Sequence, residues 1–113
     1  MHQAAIFANN HQLPGMNCVT AAELKDWIAA HKDFELLDVR EEYEHDAFNI
    51  GGLHIPLGDI GRLTASIPKE KPVVVYCERG IRSSIAMQRL ESLGFSNLYN
   101  LTGGMKEWKK TNP

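Results

Sequence analysis

Apolar residues in this chain come in short bursts whose period changes from one segment to the next. After Thr20, residues Leu24, Trp27, Ile28 and His31 fall at i, i+3, i+4 and i+7, which predicts a helix with Trp27 turned into a core. Thr20 and Glu23 have capping-box spacing and mark its start. Phe34 to Arg40 predicts a strand that stays largely apolar until its carboxyl end, where Asp38 and Arg40 fall at the rim on which α/β proteins carry sites. Glu41 to His45 predicts a single helical turn with a solvated charged face, and Phe48 to Gly52 a loop. His54-Ile55 predicts a very short strand. Pro56 then opens a helix through its fixed φ, with Leu57, Ile60, Leu63 and Ile67 as its stripe and Pro68 beyond it.

Val73-Val74-Val75 has no polar alternation, so Pro72 to Tyr76 predicts a strand covered on both faces. The next helix turns Ala86, Leu90 and Leu93 inward and stops at Gly94. Ser96 to Leu101 predicts the last strand, Gly103-Gly104 a tight turn, and Met105 with Trp108 one face of a closing helix. Met16 to Val19 predicts a short edge strand. Strand and helix alternate throughout, which argues an α/β domain with a mostly parallel sheet. Leu13-Pro14-Gly15 closes a stretch carrying polar breakers, so residues 1–15 read as a flexible N-terminal extension and 16–113 as a single domain.

Composition narrows the function classes. The chain has 113 residues, 43% hydrophobic and 23% charged, which is ordinary for one globular domain. Its net charge of −2 gives no basic field for nucleic acid or an anionic membrane. No apolar run reaches the length of a membrane span, and the N-terminus lacks a basic signal-peptide region. The expectation is a soluble, cytoplasmic protein. The two cysteines, Cys18 and Cys77, are too few for a disulfide framework, and the five histidines show no metal-ligand spacing with them. Neither a metal nor a cofactor is expected.

The chemistry concentrates where the valine strand ends. Cys77-Glu78-Arg79-Gly80-Ile81-Arg82 fills the gap between that strand and a helix start. So short a loop must curl, and Gly80 removes the Cβ that would obstruct a positive φ. Consecutive N–H groups then point inward as an anion nest, and the helix start with Arg79 and Arg82 adds positive potential. All three favour a thiolate at Cys77, the nucleophilic form. Glu78 works against that potential. Cys18 has no such surroundings and reads as structural.

Four stretches taken in order resemble the rhodanese (sulfurtransferase) family: Leu37-Asp38-Val39-Arg40-Glu41-Glu42-Tyr43-Glu44, Ile55-Pro56-Leu57, Val74 to Ser83, and Leu98 to Trp108. The resemblance runs from about Thr20 to Trp108. It implies a rhodanese-like domain, with a central five-stranded sheet flanked by helices on both sides. It also implies that Cys77 accepts a sulfane sulfur as a persulfide and passes it on. The donor would be a small sulfur compound such as thiosulfate; the acceptor would be a thiol, cyanide or a protein. Glu78, Arg79, Gly80, Ile81 and Arg82 would form the substrate loop, with Arg82 anchoring either the loop or the donor's sulfonate, and Asp38 and Arg40 would support it. Related cell-cycle phosphatases carry Cys-x5-Arg for a phosphate, whereas Cys77 to Arg82 is Cys-x4-Arg, a ring better suited to one sulfur. The chain departs from the family where a usual histidine is Phe48 and a usual asparagine is His54, and His54 reads as a hydrogen-bonded structural histidine rather than a base. The alternative class is a regulatory or redox-sensing binding module acting through Cys77. A phosphatase or arsenate reductase is disfavoured by the loop length.

Overall fold

The structure is a computed structural model that describes residues 16–111; the extension read over residues 1–15 lies outside them. Five strands, β1 (Cys18–Val19), β2 (Glu35–Asp38), β3 (Leu53–His54), β4 (Val73–Tyr76) and β5 (Leu98–Leu101), form one sheet in the order β1-β5-β4-β2-β3. Every pairing is parallel. The helices are α1 (Ala21–Ala29), α2 (Glu42–Ala47), α3 (Ile81–Ser92) and α4 (Gly104–Thr111).

Side chains alternate across a strand, so the valine run serves two cores at once. Val73 and Val75 join Leu37, Val39, Ala86, Met87 and Leu90 beneath α3. Val74 and Tyr76 join Val19, Ala21, Leu24, Met105 and Trp108 beneath α1 and α4. All four β4 residues are fully covered, which is why the segment carries no polar position. Asn100 sits in register with Val75 and Cys18. Cys77, two residues past Val75, emerges on the face that Asn100 occupies.

The predicted capping box is present: Thr20 Oγ1 accepts from Glu23 N at 3.0 Å and Glu23 Oε1 accepts from Thr20 N at 2.8 Å. Only the first half of the α1 stripe is inward, however. Leu24 is buried and Trp27 half-buried between Phe34 and Tyr99, but Ile28 is exposed and His31 lies past the helix end at φ 55°.

The helix expected from Pro56 to Ile67 is a larger departure. Its only helical part is a 3-10 turn at Leu57–Asp59, and the rest is turns. Gly58 and Gly61 each weaken a helix interior by about 1 kcal/mol relative to alanine, so a continuous helix has no local support there. Ile60 and Ile67 still reach the core, while Leu63 faces solvent. The apolar positions were meaningful, but their helical period was coincidental.

Gly104 fixes the approach of α4 to the loop after β4. Its φ is 57°, and a Cβ there would overlap the carbonyl groups of Cys77 and Glu78. Gly104→Ala is expected to lower the unfolding free energy in urea by about 2 kcal/mol through strain and overlap. Gly61→Ala meets nothing within 4 Å and should stay within about 0.5 kcal/mol of the parent.

Candidate active site

The residues from Cys77 to Ser83 turn around one sulfur atom. Gly80 adopts φ 96°, the left-handed conformation for which the sequence supplies a glycine, and is the N-cap of α3. Gly80 N donates to Cys77 Sγ at 3.1 Å and Ser83 N donates at 3.3 Å. Of the amides expected over residues 78–82, that of Gly80 reaches Sγ; the second donor, Ser83, lies one residue beyond that range in the first turn of α3. Behind it, the carbonyls of Cys77 and Glu78 accept from Met105 N at 2.9 Å and Lys106 N at 3.0 Å, at the start of α4. These two contacts brace the loop against α4.

Cys77, Glu78, Arg79, Ile81 and Arg82 line a pocket of about 240 Å³, with Glu44 of α2 as the remaining wall. Cys77 is only 1% exposed and forms its floor. The two arginines of the loop have different surroundings. Arg82 makes a bidentate pair with Glu44, at 2.7 and 2.9 Å, leaving it engaged within the protein. Arg79 is exposed at the mouth and has no ion-pair partner among the described residues. Ile81 presents an exposed apolar edge beside it.

Asp38 and Arg40 stand below the loop as a buried pair. Asp38 accepts from Arg40 Nε at 2.9 Å, Nη2 at 2.8 Å and the Arg40 backbone amide at 3.0 Å. Arg40 Nη2 also donates to the Phe48 carbonyl at 2.5 Å, and Nη1 lies 3.8 Å from Glu78 Oε1. Glu78, which as sequence only diluted the positive loop, thus ties the loop to β2. Burial alone would raise the Asp38 carboxyl, but the Arg40 and His45 hydrogen bonds outweigh it and hold it below its usual range. Burial acts against the Arg40 charge in the same way, and Asp38 overrides it upward. Tyr76, beneath Arg40, is pushed up to about 12, first by burial and then by the Asp38 charge.

His54 Nε2 lies 2.8 Å from the Arg40 carbonyl, the structural hydrogen bond expected of it. Its ring stacks at 4.2 Å on His45, whose Nδ1 lies 2.8 Å from Asp38 Oδ2. Cys18 is exposed on the edge strand, away from any of these contacts.

Three site residues escaped the sequence reading. Glu44 belonged to a charge run taken as a solvated face, although its spacing from Glu41 is that of the capping box it forms. Ser83 is buried against Cys77, and Asn100 is buried behind it against Ser83 and the Gly80 carbonyl. The available signal was Asn100 itself, a polar residue inside the apolar strand Leu98–Leu101.

Comparison with known proteins places the fold. A profile of the rhodanese-like domain family matches residues 20–111. The chain is 33% identical over 94 residues to the thiosulfate sulfurtransferase GlpE of Coxiella burnetii, covering 81% of this chain and 88% of that one. It is 34% identical over 95 residues to the probable adenylyltransferase/sulfurtransferase MoeZ of Mycobacterium tuberculosis, where 81% of this chain spans 24% of the relative. Among solved structures, a rhodanese-like domain protein from Staphylococcus aureus superposes with a TM-score of 0.77 at 30% identity, covering 82% of this chain and 91% of that one.

The Arg82 pair holds the Glu44 carboxyl down at about 2, against an ordinary value of 4.5, with desolvation opposing it. The folded protein therefore binds fewer protons than the unfolded chain between those values. This stabilisation is complete above 4.5 and is lost as pH falls toward 2. Glu44→Gln should cost about 1 kcal/mol at neutral pH, discounted for the partial exposure of Arg82. The gap between variant and parent should close on acidification, read from chemical denaturation across that range.

Proposed function

The chain belongs to the rhodanese-like domain family, and from that membership we propose that it is a sulfurtransferase working through a persulfide on Cys77. The observation that carries the reading is the convergence of the Gly80 and Ser83 amides on Cys77 Sγ at the floor of a pocket of about 240 Å³, which has room for a small anion. Donors aimed at a sulfur anion stabilise the attacking thiolate, and they lie beside the position of the terminal persulfide sulfur that it forms.

In the first half-reaction the Cys77 thiolate attacks the outer sulfur of thiosulfate. An S–S bond to Cys77 forms, the S–S bond of the donor breaks, and sulfite leaves with the electron pair. The enzyme then holds Cys77–S–S⁻. In the second, an acceptor such as cyanide or a thiolate attacks that outer sulfur, and the Cys77 thiolate is regenerated. The name of the Coxiella relative supports thiosulfate as the donor to try first.

Each surrounding residue has a distinct part. Arg79 is the cation at the mouth without an ion-pair partner among the described residues, so it receives the donor's sulfonate oxygens. Arg82, clamped by Glu44, holds the first turn of α3 against α2 and keeps the Ser83 amide on the sulfur. Asp38 and Arg40 hold the loop from below through Glu78. Gly80 supplies the turn and Ile81 an apolar wall.

Incubation with thiosulfate should add the mass of one sulfur atom to the intact protein, and Cys77→Ser should abolish the gain. No adduct from thiosulfate or any other sulfane donor would overturn the reading. Arg79→Ala should raise KM for thiosulfate about tenfold with kcat little changed, the loss expected for one charge-assisted contact.

A further inference from the structure

Ser83 Oγ lies 3.4 Å from Cys77 Sγ and 2.5 Å from Asn100 Oδ1, and Asn100 Nδ2 lies 3.1 Å from the Gly80 carbonyl. Ser83, Asn100 and Cys77 are each no more than 1% exposed, so solvent does not supply substitute partners. Hydrogen counting fixes the donors. A carbonyl only accepts, so the Asn100 atom facing Gly80 is the amide nitrogen, and the atom facing Ser83 is the amide oxygen. That oxygen also only accepts. The single Ser83 hydroxyl proton is therefore spent on Asn100, and Ser83 presents lone pairs to the sulfur.

Two consequences follow for Cys77. As a thiol, it donates its proton to Ser83 Oγ, and the arrangement is satisfied. As a thiolate, it would face an oxygen lone pair, unless the Ser83 hydroxyl turns from Asn100 to the sulfur. After that rotation the sulfur anion has three donors, the Gly80 amide, the Ser83 amide and the Ser83 hydroxyl; Asn100 Oδ1 loses its donor, a cost offset by the stronger hydrogen bond to a charged sulfur.

We infer that Ser83 and Asn100 form a one-proton switch, in which Asn100 holds the Ser83 hydroxyl away from the sulfur while it carries a proton and yields it to the thiolate. The thiol proton leaves to solvent through the pocket, and the hydroxyl proton stays on Ser83 throughout. Once a persulfide forms, the negative charge moves to the outer sulfur, Sγ becomes a weak acceptor, and the hydroxyl returns to Asn100. Asn100 is thus a positioning residue that acts on the sulfur only through Ser83. The charged groups around Cys77 are Glu78 and Arg79 on the loop, Arg82 on α3 and Glu44 on α2. Ser83 and Asn100 are neutral, so exchanging them leaves this set of charges unchanged.

The inference rests on Cys77 being the reacting group, as in the proposed sulfur transfer, but its test needs no sulfur donor, so the two fail separately. The measurement is the rate of alkylation by iodoacetamide as a function of pH, in a Cys18→Ser background so that Cys77 alone reports. Asn100→Ala frees the Ser83 proton for the sulfur and should raise the rate about tenfold at a pH where the parent is mostly thiol. Ser83→Ala removes the third donor and should lower the rate about tenfold at the same pH. Ser83→Thr keeps the hydroxyl and should retain the parental profile. Adding Asn100→Ala to Ser83→Ala should change nothing further. An Asn100→Ala effect of equal size with and without Ser83 would mean that Asn100 acts through the Gly80 carbonyl, and would overturn the switch. Should Asn100→Ala not fold, the Ser83 pair decides: a Ser83→Ala profile that coincides with the parent overturns it as well.

Discussion

The site depends on where two backbone carbonyls point. Those of Cys77 and Glu78 are taken up by the Met105 and Lys106 amides at the start of α4. A peptide group is planar, so fixing those carbonyls also fixes the Glu78 and Arg79 amides that share their planes, and with them the path by which the chain enters the Gly80 turn. The contact demands that α4 come close enough for main chain to touch main chain, which only Gly104 permits. The last helix of the chain is therefore what shapes a loop near its middle. Of the two glycines ahead of the Trp108 helix, Gly104 has its physical reason in this approach, and Gly103 in the Glu107 side chain that a Cβ there would meet.

Around that backbone frame, ion pairs decide which cations remain available. The fold commits two arginines inward, Arg40 below the loop to Asp38 and Arg82 in the pocket wall to Glu44. The carboxylates cost desolvation, but each accepts enough hydrogen bonds to remain ionised, so the pairs act as rigid struts between elements. Arg40 joins β2 to the Phe48 carbonyl and, through Glu78, to the loop. Glu44 joins α2 to α3 while capping its own helix. What is left facing outward at the pocket, among the described residues, is the exposed guanidinium of Arg79 over a buried sulfur.

Much of this was legible in the sequence because it depends on neighbours in the chain. The valine run, the glycine at Gly80, the capping box at Thr20 and the Cys77-to-Arg82 count are all local, and the structure repeats them. The stripe after Pro56 misled because Ile60 and Ile67 are buried by tertiary packing without being helical. Periodicity reports burial, and two glycines were the warning that it did not report a helix. Glu44, Ser83 and Asn100 were missed for a different reason. Their partners lie 38, 6 and 20 residues away, at Arg82, Cys77 and Gly80, and a charge or amide in sequence carries no mark of what it will meet.

The order of the sheet has a consequence beyond the site. Its long strands, β2, β4 and β5, are interior, while both borders are made by two-residue segments, β1 and β3. An open parallel sheet ordinarily leaves a ribbon of unsatisfied main-chain groups along each side, ready to template another chain. Here each border ends almost as soon as it begins. The fold thus carries its own protection against strand-to-strand aggregation, achieved by brevity at the margins and without added charge or proline within those strands.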